Sequence, residues 1–128
     1  MVEFALVFPL FFLIVLATID FGWALRSYIT ITNSAREGAR LAVTLDPDDS
    51  NTISLVQEHA SNHSSGLVTE SDVTVAFPDG AQTKNPVEVT VEYEHNFITP
   101  LGKVLGFFSG GSIDDPLQLA STSTMRIE

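Results

Sequence analysis

From residue 4 to residue 19 the chain reads Phe-Ala-Leu-Val-Phe-Pro-Leu-Phe-Phe-Leu-Ile-Val-Leu-Ala-Thr-Ile, with no charge inside the run and Glu3 and Asp20 at its two ends. This is the composition of a membrane helix. Counted over residues 2–25, such a helix rises roughly 35 Å, enough to cross a hydrocarbon core of about 30 Å. The helical pattern does not stop at the acid. Tyr28, Ile31, Ala35, Gly38, Ala42 and Leu45 recur at steps of three and four, the period of one helix face. No breaker intervenes until Asp46-Pro47, where the proline disfavours helical geometry in the residue before it. The spacing predicts one helix over residues 2–45, roughly 66 Å long, apolar all round in its first half and amphipathic in its second.

Particular residues on this helix ask for partners. A charge near the bilayer centre costs at least ~2.5 kcal/mol, so Glu3 either meets a partner or lies among headgroups, favoured there by the positive end of the helix dipole. Pro9 removes the hydrogen bond to the Ala5 carbonyl and is expected to kink or loosen the helix locally, which membrane helices tolerate when neighbours satisfy the freed carbonyl. Phe4, Phe8, Phe11 and Phe12 fall on one side of the first turns, a ridge suited to packing against other helices or to facing lipid. Trp23 and Tyr28 follow Asp20, where interfacial aromatics belong. Ser34, Gly38 and Ala42 put a small residue at every fourth position and so allow close approach of another backbone. That backbone belongs either to another copy or, the expected case, to the chain's own following domain. Arg36 and Arg40 line another side, solvated or answering an acid such as Asp20 or Glu37 of a neighbouring subunit.

Three blocks in this order, Val2-Glu3-Phe4-Ala5-Leu6-Val7-Phe8-Pro9-Leu10, then Asp20-Phe21-Gly22, then Asn33-Ser34-Ala35-Arg36-Glu37-Gly38-Ala39-Arg40, resemble the N-terminal signature of TadE-like pseudopilins of the tight-adherence (Tad) pilus systems. The closing Thr124-Met125-Arg126-Ile127-Glu128 is similar to the end of many such chains. The resemblance implies a type IV pilin-like subunit, whose membrane helix leaves the bilayer and joins a helical bundle at the core of an extracellular filament. It also implies a prepilin peptidase and pilus assembly machinery as partners. In related pilins a glutamate near the processed N-terminus neutralises the terminal amine of a neighbouring subunit, a role that falls here on Glu3. Such precursors carry a short basic leader ending in glycine; the sequence without one is expected to be the processed chain or to begin inside it. A basic leader would also outweigh Arg26, which by the positive-inside rule would otherwise place the C-terminal part in the cytoplasm.

Residues 46–128 read as a small α+β head. Asp46-Pro47-Asp48-Asp49-Ser50-Asn51 is a polar turn that supplies caps for a second helix, residues 52–65, with Ile53, Val56, Ala60 and Leu67 on its buried side and Gly66 at its stop. The period then changes to two. Val73, Val75 and Phe77 form one strand, and Pro78-Asp79-Gly80 turns the chain. Val87, Val89, Val91 and Tyr93 form a second strand with Glu88, Thr90, Glu92 and Glu94 outward, and residues 117–127 form a third. The expected fold is therefore α+β: a long N-terminal hydrophobic helix (1–45), and a head (46–128) of one further helix and a three- to four-stranded antiparallel sheet packed on the stalk. Between the second and third strands lies an apolar segment with Pro100, Leu101, Phe107 and Phe108. It either folds over the sheet edge or touches the next subunit, which makes Phe107 and Phe108 candidate inter-subunit residues.

Charge narrows the function. Three acids and three arginines balance up to residue 45, so the whole net charge of -10 lies in the head. Such a head repels phosphates, and Lys84, Lys103 and Arg126 form no cluster in the sequence, so nucleic acid is not an expected partner. The chain has no cysteine, which removes disulfides and thiolate metal sites. His59 and His63 stand four apart, a spacing able to hold a metal, but no acid or cysteine is tied to them, and the aspartates of the 46–49 turn lack the ordered spacing of a calcium loop. Asn62-His63-Ser64 is a formal glycosylation sequon. No nucleophile, phosphate loop or metalloprotease motif is present, so neither an enzyme nor a cofactor is expected. The expectation is a structural subunit of a Tad-type pilus, a homo-oligomer anchored in the inner membrane before assembly and extracellular after it, serving surface adhesion. Its alternatives are a minor pseudopilin that primes or tips a pilus of another protein, and a non-polymerising single-span membrane protein with an extracytoplasmic binding head.

Overall fold

The computed structural model describes residues 2–80, 82, 84–103, 106 and 116–127. Helix α1 runs Val2–Ala42 and continues through Pro9 without ending. It stops three residues short of Leu45. Val43 N–H still reaches the Ala39 carbonyl at 3.2 Å, but both the amide and the hydroxyl of Thr44 turn back to Leu41 O, at 3.0 and 2.8 Å. A side chain that bonds to its own backbone in this way competes with helix continuation. Asp46 then opens a turn, its carboxylate accepting Asp48 N–H at 3.1 Å.

Helix α2, Thr52–His63, follows. Asn51 stands before it without a side-chain cap; the local carboxylate is that of Asp49, which accepts Asn51 N–H at 3.0 Å. The chain leaves α2 through Ser65 and Gly66, at φ +55° and +80°, a left-handed passage that glycine makes without strain. After a single 3-10 turn, Glu70–Asp72, three strands form one antiparallel sheet in sequence order: β1 Val73–Ala76, β2 Pro86–His95 and β3 Leu117–Arg126. Val73 faces Val91 and Val75 faces Val89 across the first pair. On the other side, Ile127 N–H reaches Asn85 O at 3.0 Å, while Thr90 and Thr122 join hydroxyls at 2.8 Å in mid-strand. The alternation of β2 puts Val87, Val89 and Val91 wholly inside, whereas Glu92 and Glu94 are exposed.

The chain divides into two compact units, and the division differs from a boundary at residue 45. One unit holds residues 1–26 and 94–117; the other holds 27–93 and 118–128. The second half of α1 thus belongs to the head, for a steric reason. Ile31, Ala35, Ala39 and Ala42 are fully buried in one cluster with Val56 and Ala60 of α2 and the valines of the sheet. A Cβ added at Gly38 would lie 3.1 Å from Ala60 Cβ and 3.1 Å from Val89 Cγ1. Only small side chains admit such an approach.

One expected core position on α2 is displaced to its neighbour, while Tyr28, one of the expected interfacial aromatics, stays outside. Ile53 is 44% exposed, and Thr52 is buried instead. The Thr52 hydroxyl donates to Asp46 O, so the polar atom goes inside satisfied and α2 turns its Thr52-Val56-Ala60 face to the core. Gln57 adds a bond from its Nε2 to Val73 O at 2.8 Å, tying α2 to β1.

Candidate functional site

In the first unit, α1 is exposed over most of its surface. Phe4, Val7, Phe8, Leu10, Phe11, Phe12, Ile14 and Ile19 are all exposed large apolar side chains. Among the described residues, one helix, Glu3–Ala42, is long and apolar enough to cross a membrane, and only 12% of its most apolar stretch is buried. The interior helix of a water-soluble domain has the opposite profile. Phe4, Phe8 and Phe12 form a continuous ridge, with ring centroids 5.7 and then 6.3 Å apart. Phe11 is exposed beside it. Thr18, the one hydroxyl in this stretch, donates to Ile14 O at 2.8 Å, so the helix satisfies it without water. Glu3 lies in the first turn, exposed.

One narrow face of this half is covered by its own chain. Leu16 and Asp20, one turn apart, are buried. Both Asp20 oxygens are engaged: Oδ1 accepts Ile98 N–H at 3.1 Å and Thr99 N–H at 3.0 Å, and Oδ2 accepts the Thr99 hydroxyl. His95, buried at the end of β2, lies within electrostatic reach of the same carboxylate. Asp20 was read above as a possible answer to an arginine of another subunit. Within the chain its oxygens are engaged by two backbone N–H groups, which would otherwise be orphaned beside an apolar helix, and by one hydroxyl. Sequence reasoning missed this because the partners stand almost eighty positions away. The available signal was the need itself: an acid closing an apolar run requires donors, and the turn Ile98-Thr99-Pro100 carries N–H groups that no regular element uses.

The remaining sequence candidates are placed as follows. Ser34, Gly38 and Ala42 are buried, and the atoms that Gly38 meets are those of its own head. Arg36 and Arg40 are exposed, with Glu37 half-buried. His59 and His63 pack ring against ring at 4.4 Å, and His63 Nδ1 lies 2.9 Å from His59 O; no group of three or more potential metal ligands exists among the described residues. Lys84 and Arg126, remote in sequence, line one hollow together with Asp79, because strand pairing brings the ends of β2 and β3 side by side. Phe107 and Phe108 lie outside the described residues.

The family model described as TadE-like protein matches residues 1–40. No curated protein and no solved structure matches the chain. The matched segment carries the exposed apolar surface, Asp20 and all but the last two residues of α1, so the resemblance and the membrane-compatible helix coincide in the same residues.

Proposed function

We propose that this chain, which matches the TadE-like protein family model over residues 1–40, is a pilin-like structural subunit of an extracellular Tad-type pilus that polymerises through the first half of α1. The observation that carries the reading is the coincidence just described: the family match falls on a helix whose bulky apolar side chains are left uncovered by their own chain. Burying such side chains is worth about 1.5–3 kcal/mol each. Once the helix leaves lipid, equivalent helices of other copies are apolar partners of matching length. The Phe4-Phe8-Phe12 ridge and Pro9 then face neighbouring helices, Glu3 neutralises a neighbour's terminal amine, and Arg36 and Arg40 stay on the outside of the stalk for contacts between copies. The acidic heads form the soluble sheath of the filament, and surface adhesion is its role.

Electron microscopy of fibres sheared from cells, followed by mass spectrometry of their content, tests this. Abundant copies of the chain support the major-subunit reading, trace amounts support a priming or tip pseudopilin, and absence supports a membrane protein that never polymerises. A Glu3→Ala strain is expected to lose its fibres while keeping the precursor in the membrane; normal fibres from that strain would remove the role assigned to the carboxylate.

A further inference from the structure

We propose that residues 96–103 form a second membrane contact, a short segment pinned to Asp20 that lies in the headgroup layer while the subunit is still in the bilayer, with a lipid surface as its partner. The inference rests on residues 2–25 spanning the membrane and concerns a different part of the chain.

The first argument is depth. At 1.5 Å per residue Asp20 stands roughly 26 Å along the helix from Glu3, against a hydrocarbon core of about 30 Å. With Glu3 at one boundary, Asp20 reaches the other or falls just short of it, where an unsatisfied carboxylate would be costly. The amides of Ile98 and Thr99 are within 3.1 Å of that carboxylate, so the backbone of the segment is held at the same level. Irregular backbone is tolerated at such a depth when its polar groups are satisfied by protein, and here the same hydrogen bonds satisfy both sides.

The second argument is what the segment presents at that level. Ile98 is 58% exposed although its own amide is bound to a buried acid. Pro100 is exposed and Phe97 half-buried beside it, while Lys103, also exposed, completes the rim of the same hollow. An apolar tip with a long-stemmed cation next to it suits the boundary between acyl chains and phosphates, with the lysine stem in the apolar layer and the ammonium among phosphates. The helix marks the same level independently. Trp23 follows Asp20 by three residues, and the Arg26 guanidinium lies 4.9 Å from its ring centroid, an aromatic and a cation placed where interfaces hold them.

The test uses the whole chain reconstituted in vesicles of phosphatidylcholine and phosphatidylglycerol. Trp23 is the single tryptophan, so a Trp23→Phe/Ile98→Trp variant carries its one indole on the segment. Its emission is expected to be blue-shifted, quenched by lipids brominated near the glycerol end of the acyl chains, and shielded from acrylamide. Adding Asp20→Ala should reverse all three effects while the protein still floats with the vesicles. Thr99→Val, which leaves both amide bonds in place, should reverse them only partly and covers the case in which the alanine variant misfolds. Lys103→Glu should weaken the lipid quenching. An indole at position 98 that acrylamide reaches and brominated lipid does not, in protein that floats, overturns the proposal. Shielding that arises only in assembled fibres also overturns it, in favour of a subunit contact. Wild-type protein that fails to float removes the spanning reading itself, a result distinct from the other two.

Discussion

The two halves of α1 have the same backbone and opposite surroundings. Up to residue 26 the helix carries phenylalanine, leucine and isoleucine and leaves most of them exposed; from residue 27 its inward positions are Ser27, Ile31, Ser34, Ala35, Gly38, Ala39 and Ala42, and they are buried. Hydrophobicity alone would rank the halves the wrong way round for burial. Side-chain volume decides instead. Small residues let α2 and the sheet pack against the helix backbone, and the small contacts sum over a close-packed face. Bulky residues hold neighbours off and offer a large area to whatever arrives from outside. One helix therefore combines a half packed into its own head with a half whose bulky apolar surface its own chain leaves largely exposed.

The strongest way to break this contrast is to put bulk where the stalk has none. Gly38→Leu must displace Ala60 and Val89, which a Cβ alone would approach to 3.1 Å, and overpacking of this kind costs about 3 kcal/mol at its upper range. Denaturant melting of the whole chain in detergent, followed through the sheet signal, should show that loss. A Gly38→Leu chain with wild-type head stability would mean that α2 and the stalk are not in contact.

Asp20→Ala comes next in its effect on the melt of the head, since it removes the acceptor of three donors at once but does so in the other unit. Hydrogen bonds to a charged group contribute roughly 1.5–3 kcal/mol each, yet the loss should stay local. Exchange of the Ile98 and Thr99 amides should accelerate sharply, while the amides of Val89 and Val91 keep their protection. Equal acceleration at all four positions would show that the two units unfold as one.

Much of this arrangement is legible in the sequence. The long helix, the second helix and all three strands follow from period and breakers, and Val87, Val89 and Val91 were identified as inward from alternation alone. What escaped was non-local. The pairing of Asp20 with residues 98 and 99 depends on how the chain returns after β2, and no local pattern encodes that return. Ile53 was assigned to the core because apolar character outweighed geometry, whereas the buried position went to Thr52, whose hydroxyl has an acceptor at Asp46 O. The boundary at residue 45 followed the last helix residue, but compactness follows packing, and the packing partner of residues 27–42 is the head. A smaller test isolates the Thr52 effect: Thr52→Val keeps the volume and strands the Asp46 carbonyl, for an expected loss of about 1 kcal/mol. An unchanged midpoint would indicate that water replaces the hydroxyl at that carbonyl.

The smallest expected effect on stability is the most informative about the anchor half. Phe8 touches Phe4 and Phe12 along its own helix and is 52% exposed, so Phe8→Ala removes no packing from the head. Surface substitutions of this kind stay within about 0.5 kcal/mol, and the melting of the head should not move beyond that. If the ridge is the surface on which copies meet, the same substitution should sharply reduce the yield of sheared fibres while the amount of membrane-held subunit stays constant. The paired readout separates the two halves of the helix by function: Gly38→Leu should fail in the melt before assembly is reached, whereas Phe8→Ala should pass the melt and fail only in the fibre. A Phe8→Ala strain with normal fibres would assign the ridge to lipid and leave assembly to other faces of the same helix.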